Sequence, residues 1–240
     1  MRKIVFVIAG VVAGSVASTA MAADFAPYAR LDLGYGKVLS SGRGNLFAGD
    51  TGFNGDKKDQ LGESVAVGGG AGVKLPFEMG PLSFRADVTG SYRPDFGGLR
   101  SGTLPGGGDT LHTDLKVANT TALANVYADY ATGGKVTPFV GLGLGAAWNR
   151  VSAMNLVQSD GTQVGSQAGK TETNFAWSLT TGVGIAVLPS VSLDLAYRYL
   201  DAGKVKTGSV FSSPSGDAYS APNHAALLAH ELSVSLRYSF

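Results

Sequence analysis

From Pro27 to the last residue, apolar side chains recur at every second position in stretches separated by glycine-rich polar segments. A strand turns successive side chains to opposite faces, so this period-two pattern specifies strands with one apolar face, not helices. The chain is 44% hydrophobic and only 15% charged. Yet beyond its amino terminus no apolar run reaches the roughly 20 residues of a membrane helix. About ten residues suffice for a tilted strand to cross a bilayer, and the stretches have about that length. A chain that is apolar in composition but lacks an apolar segment fits a wall of alternating strands in lipid.

Eight strands satisfy the alternation. The first, 28–38, sets Leu31, Leu33 and Tyr35 against Arg30, Asp32 and Gly34. The second, 64–75, opposes Val65, Val67, Ala71 and Val73 to Gly68, Gly70, Gly72 and Lys74. The third, 82–93, is the clearest: Leu82, Phe84, Ala86, Val88 and Tyr92 against Arg85, Asp87, Ser91 and Arg93. The fourth, 115–131, is the weakest, because placing Ala122, Ala124, Val126 and Tyr130 outward turns Leu123 and Tyr127 inward with Asn125 and Asp129. The fifth (136–149), sixth (174–187) and seventh (191–199) alternate with inward Gly141, Gly143, Gly182, Gly184, Asp194 and Arg198. The eighth ends the chain, with Leu232, Val234, Leu236, Tyr238 and Phe240 opposing Glu231, Ser233, Ser235 and Arg237.

The connections alternate in length. Long segments fall at 39–63, 94–114, 150–173 and 200–226, and short turns at 76–81, 132–135 and 188–190. Outer-membrane barrels have short periplasmic turns and long external loops, so the expected fold is all-β: an eight-stranded antiparallel transmembrane β-barrel with four long extracellular loops. Tyr35, Tyr92, Trp148, Trp177 and Tyr199 fall on the apolar face near the long segments, and Tyr130, Tyr238 and Phe240 near the opposite rim. Two aromatic girdles at membrane interfaces produce that distribution; a scattered core does not.

The apolar face then meets lipid, and the polar face lines a lumen narrow enough to be filled by side chains. Its expected charges are Arg30, Lys74, Arg85, Arg93, Arg198 and Arg237 against Asp32, Asp87, Asp129, Asp194 and Glu231. Buried charges require partners, so a salt-bridge network is expected, with the inward glycines leaving room for it.

The first residues read as an export leader. Arg2 and Lys3 precede the apolar Ile4 to Val12, and Ala20-Met21-Ala22 is an A-x-A site, so cleavage is expected after Ala22. The domains are thus a signal peptide, 1–22, and the barrel, 23–240. Losing Arg2 and Lys3 takes the formal charge from +1 to −1 and argues against nucleic-acid binding. There is no cysteine, which excludes lipidation at the cleavage site, disulfides and thiolate metal sites.

Motifs that could carry chemistry fail on inspection. The glycines of Gly141-Leu142-Gly143-Leu144-Gly145 share one strand face, so they pack the lumen and do not cradle phosphate. Gly52 and Leu61 stand where a calcium loop spanning 50–63 needs oxygen ligands. His112, His224 and His230 are too far apart to suggest a metal triad. No cofactor, metal or catalytic residue is expected.

The last strand, Ser233 to Phe240, resembles the carboxy-terminal assembly signal of outer-membrane proteins, which implies that Leu236, Tyr238 and Phe240 are read by the barrel-assembly machinery. Two further stretches, Ala122-Leu123-Ala124-Asn125-Val126-Tyr127-Ala128-Asp129-Tyr130 and Leu195-Ala196-Tyr197-Arg198-Tyr199-Leu200-Asp201-Ala202-Gly203, resemble the opacity-protein and porin-like surface-antigen family. The resemblance implies an eight-stranded surface antigen, adhesin-like in some members, without a cofactor. Lipid A deacylases of similar size carry His and Ser two residues apart, a spacing that none of the three histidines here shows.

The expected function is therefore a non-enzymatic surface barrel with a membrane-structural and a recognition role. A narrow porin-like channel is the alternative, and a lipid-modifying enzyme ranks below both. Expected partners are outer-membrane lipid and lipopolysaccharide, the assembly machinery and a host or environmental ligand, the protein itself being a monomer. Phe47, Phe53, Phe211 and Tyr219 are the candidate ligand contacts, as aromatics in long polar loops.

Overall fold

The computed structural model describes residues 25–41, 54–55, 60–103, 110–206, 208, 210–212, 218–220 and 224–240. The expected leader and its cleavage site, with Phe47 and Phe53, lie outside these residues.

The wall has eight strands: β1 (Ala26–Ser41), β2 (Gln60–Met79), β3 (Leu82–Thr103), β4 (Thr110–Tyr130), β5 (Val136–Val151), β6 (Lys170–Leu188), β7 (Val191–Lys206) and β8 (His224–Ser239). Each pairs antiparallel with its sequence neighbours, and β8 returns to β1, with Tyr28 opposite Ser239 and Leu33 opposite Val234. Closure satisfies the backbone along the whole wall, the condition for strands to stand in lipid.

Side-chain parity follows the alternation. Leu31, Val88, Val126, Val140, Leu179 and Leu236 are exposed on the outer face. Leu123 and Tyr127, inward at 1% and 6% exposure, fix the register of β4. The girdles can be measured from that register. Trp148 of β5 lies opposite Thr120 of β4, and Tyr130 ends the same strand ten positions further on. At about 3.3 Å per residue and a tilt near 40°, the two rings are separated by about 25 Å of height, the span of the apolar band of such barrels.

The strands, at 16 to 22 residues, are much longer than the stretches legible in the sequence. The segment 94–114, expected as a loop, is mostly wall: β3 runs to Thr103 and β4 starts at Thr110. A bulge between Arg93 and Phe96 hides this continuation, because one extra residue shifts the period-two pattern. Gly97 follows at φ 126°, where a Cβ would run into the Leu115 carbonyl. A second bulge, between Asp201 and Lys204 with Gly203 at φ 73°, extends β7 in the same way.

Candidate functional site: a filled lumen beneath joined loops

Two polar clusters occupy the lumen. In the first, Arg30 donates to Asp32 at 2.9 Å, to Asp87 at 3.1 Å, to the Tyr127 hydroxyl at 3.1 Å and to Ser235 at 3.0 Å. Asp87 also accepts from Tyr28 at 3.0 Å and from the Asn125 amide at 2.7 Å. Arg85 donates to Asp129 at 3.0 Å and to Asp194 at 3.5 Å, and Arg237 reaches Asp194 at 3.2 Å. The Arg85 guanidinium lies 4.2 Å from the centre of the Tyr127 ring and 4.7 Å from that of Phe139.

In the second cluster Glu231 bridges Arg93 and Arg198, accepting from Arg198 at 2.6 Å. Arg93 also donates to Asn119 at 2.9 Å, Asn119 to Asn149 at 2.6 Å, and Asn149 to the Ala202 carbonyl at 2.7 Å. Glycines make the room: a Cβ on Gly34 would lie 2.5 Å from the Glu231 carboxyl carbon, and one on Gly141 would enter the Tyr127 ring.

Of the charges assigned to the lumen from sequence, Lys74 stands apart. Its side chain is 53% exposed and pairs with Glu78 at 3.7 Å, where the β2–β3 register becomes irregular near the turn end. A lysine at a mouth reaches water with its long stem and avoids the desolvation that burial would impose. Without it, five arginines face five carboxylates in the clusters.

Above the charges, towards the loop end, the lumen becomes apolar. Val38, Phe96, Leu115, Val117, Val151, Leu200, Val205 and Leu227 pack into one buried cluster, with Met154 over them. Leu115, Val117 and Val205 are 0% exposed. Sequence reasoning missed this plug because most of its residues follow the bulges or fall in segments read as loops. The continuing alternation of Leu115 and Val117 around Lys116 was the available signal.

Above the plug the connections join one another. The hairpin Met154–Gln158 and Gln163–Gln167 extends the sheet from β4, with Leu111 opposite Gln158. Val210–Ser212 pairs with that hairpin and with Ala218–Ser220, so the backbones of Phe211 and Tyr219 are directly opposite. Asn54–Gly55 pairs with the end of β3. Three connections thus contribute to one sheet beyond the wall.

At the other end, Leu236, Tyr238 and Phe240 face outward, 49%, 49% and 76% exposed, with the two rings in edge contact at 5.2 Å. His230 faces outward too, bonded to the Tyr197 hydroxyl at 2.5 Å, while Glu231 and Ser233 are buried within. A His–Ser pair cannot converge from opposite faces of one strand.

A closed antiparallel wall with an apolar outer band between aromatic rims defines the class of transmembrane β-barrels. The chain belongs to the outer membrane protein beta-barrel domain family, whose model matches residues 6–240. It is 27% identical over 180 residues to outer membrane protein PagN of Salmonella typhimurium (strain LT2), covering 72% of each chain. It is 30% identical over 171 residues to a Rickettsia bellii (strain RML369-C) protein named "Putative adhesin", covering 68% of this chain and 73% of that one. Among solved structures, Neisserial surface protein A aligns over 89% of this chain and 97% of its own, at 21% identity and a TM-score of 0.48. The turn end is accordingly periplasmic and the loop end extracellular.

Proposed function

We propose that this outer-membrane barrel is a non-enzymatic surface-recognition protein, adhesin- or antigen-like, whose wall supports the membrane while its extracellular segments contact a host or environmental ligand. The observation that carries the reading is the position of the joined extracellular sheet above a lumen filled first by apolar side chains and then by paired charges. A filled lumen leaves the loops as the surface available for recognition, and loops on a rigid scaffold are the usual place for it. The similarity to a chain named as an adhesin supports the same reading. Its partners are then outer-membrane lipid, the assembly machinery acting through Leu236, Tyr238 and Phe240, and the ligand itself, met by a monomer. The porin-like and lipid-modifying alternatives lack a comparable observation.

The test is binding of purified, refolded protein to epithelial cells and to immobilised matrix proteins and glycosaminoglycans. Replacing 42–59, 152–169 or 207–223 by a tight turn should abolish binding while the protein still migrates as a folded barrel in unheated SDS. Retention of full binding by all three variants would reject the proposal.

A further inference from the structure

The outer wall is not uniformly smooth. Across β2 to β5 it carries a groove of about 500 Å³ floored by Ala71, Ala86 and Ala124 and flanked by Val88, Val126 and Leu144. Towards the extracellular end, β4 carries only small side chains on its outward parity: half-buried Ala122, exposed Thr120 and buried Ala118. Tyr92 and Trp148 stand on either side of it, since both lie opposite Thr120. Above these rings, Arg150 lies opposite Ala118, and Lys116 is its diagonal neighbour two positions along. Lys116 pairs with Asp114 at 2.9 Å, whereas exposed Arg150 has no ion-pair partner among the described residues.

The groove and the cations are one leaflet apart. From Leu144 to Arg150 is six positions of β5, about 20 Å along the strand and about 15 Å in height at a tilt near 40°, half of a ~30 Å hydrocarbon core. Lys37 of β1 offers a contrast. It is also exposed above a girdle residue, Tyr35, but the wall beneath it is filled by Leu31, Leu33, Val65 and Leu232.

We propose that the β3–β5 face is a fixed site for the phosphorylated glycolipid of the outer leaflet, lipid A: an acyl chain lies in the groove and a phosphate is held by Arg150 with Lys116. Groove depth selects a chain that starts at the rim and ends near the midplane, and the guanidinium supplies planar donors for phosphate. The proposal depends on the outer-membrane orientation and is independent of any loop ligand.

Native mass spectrometry of the refolded protein with bisphosphorylated lipid A tests it, with dephosphorylated lipid A and phosphatidylglycerol as the competing probes. Wild type should retain one bisphosphorylated lipid A at least tenfold more strongly than either competitor. Arg150→Gln with Lys116→Gln, and separately Ala122→Leu with Ala124→Leu, should each lose that preference, and Lys37→Gln should keep it. The first pair alters exposed side chains only, so it remains informative if the groove variants do not fold. Equal retention in the charge variant would overturn the site. So would equal retention of phosphatidylglycerol or of dephosphorylated lipid A, which would show general lipid contact only. Binding to cells through the loops should be unaffected in the charge variant, so failure here and failure of the recognition reading are distinguishable.

Discussion

Arg85 of β3 lays its guanidinium over the Tyr127 ring, 4.2 Å from its centre, and donates at 3.0 Å to Asp129 two positions further along the same strand, β4. That contact joins the aromatic and ionic parts of the lower cluster. Arg85→Met should destabilise the barrel by about 3–5 kcal/mol, because it strips a buried partner from Asp129. Asp194 suffers less, since Arg237 remains at 3.2 Å. Adding Asp129→Asn should recover part of the loss. Urea-dependent folding in detergent micelles reads both, and an Arg85→Met variant within ~1 kcal/mol of wild type would show that the pair contributes little.

Two glycines on opposite faces separate packing from lipid exposure. A Cβ on Gly34 would collide with the Glu231 carboxyl carbon at 2.5 Å, whereas one on Gly90 meets nothing nearer than 3.9 Å. Gly34→Ala should therefore cost about 1–3 kcal/mol by overpacking the upper cluster, and Gly90→Ala should be close to neutral. Equal effects in the same folding assay would contradict the assignment of the inward face.

Leu115 anchors the apolar plug at 0% exposure. Leu115→Ala should destabilise by about 2–5 kcal/mol, the range for deleting a buried leucine side chain. The loss should be visible in denaturant titration, and a change below ~1 kcal/mol would place Leu115 outside the packed core.

Deleting Phe240 should impair insertion in cells far more than refolding in detergent. Its ring is 76% exposed and touches Tyr238 at the rim, so little packing is lost with it. Equal impairment in both assays would remove the recognition role given to the last residue.

These outcomes bear on how much of the molecule was written in its alternation. Strand number, closure and face were legible because a one-residue slip would put every apolar side chain on the wrong side. Even Leu123 and Tyr127, which looked out of place, belong inside: one extends the apolar cluster and the other stacks under Arg85. The upper wall was hidden where bulges at Arg93/Phe96 and Asp201/Lys204 interrupt the period, and with it went most of the plug. Lys74 was misplaced because parity says which face a residue occupies but not whether its level along the barrel is closed. Asn149 falls on the inward face of the fifth alternation, whereas Asn119, which links it to Arg93, carries no charge to draw notice.

A lumen filled by paired charges and an apolar plug should carry no steady current, and single-channel recording of the purified, refolded protein in planar bilayers measures this. Wild type should show no long-lived conductance steps, and Leu115→Ala combined with Val117→Ala should admit brief ones by thinning the plug. Stable, long-lived open steps in the wild type would show an open lumen and favour a pore.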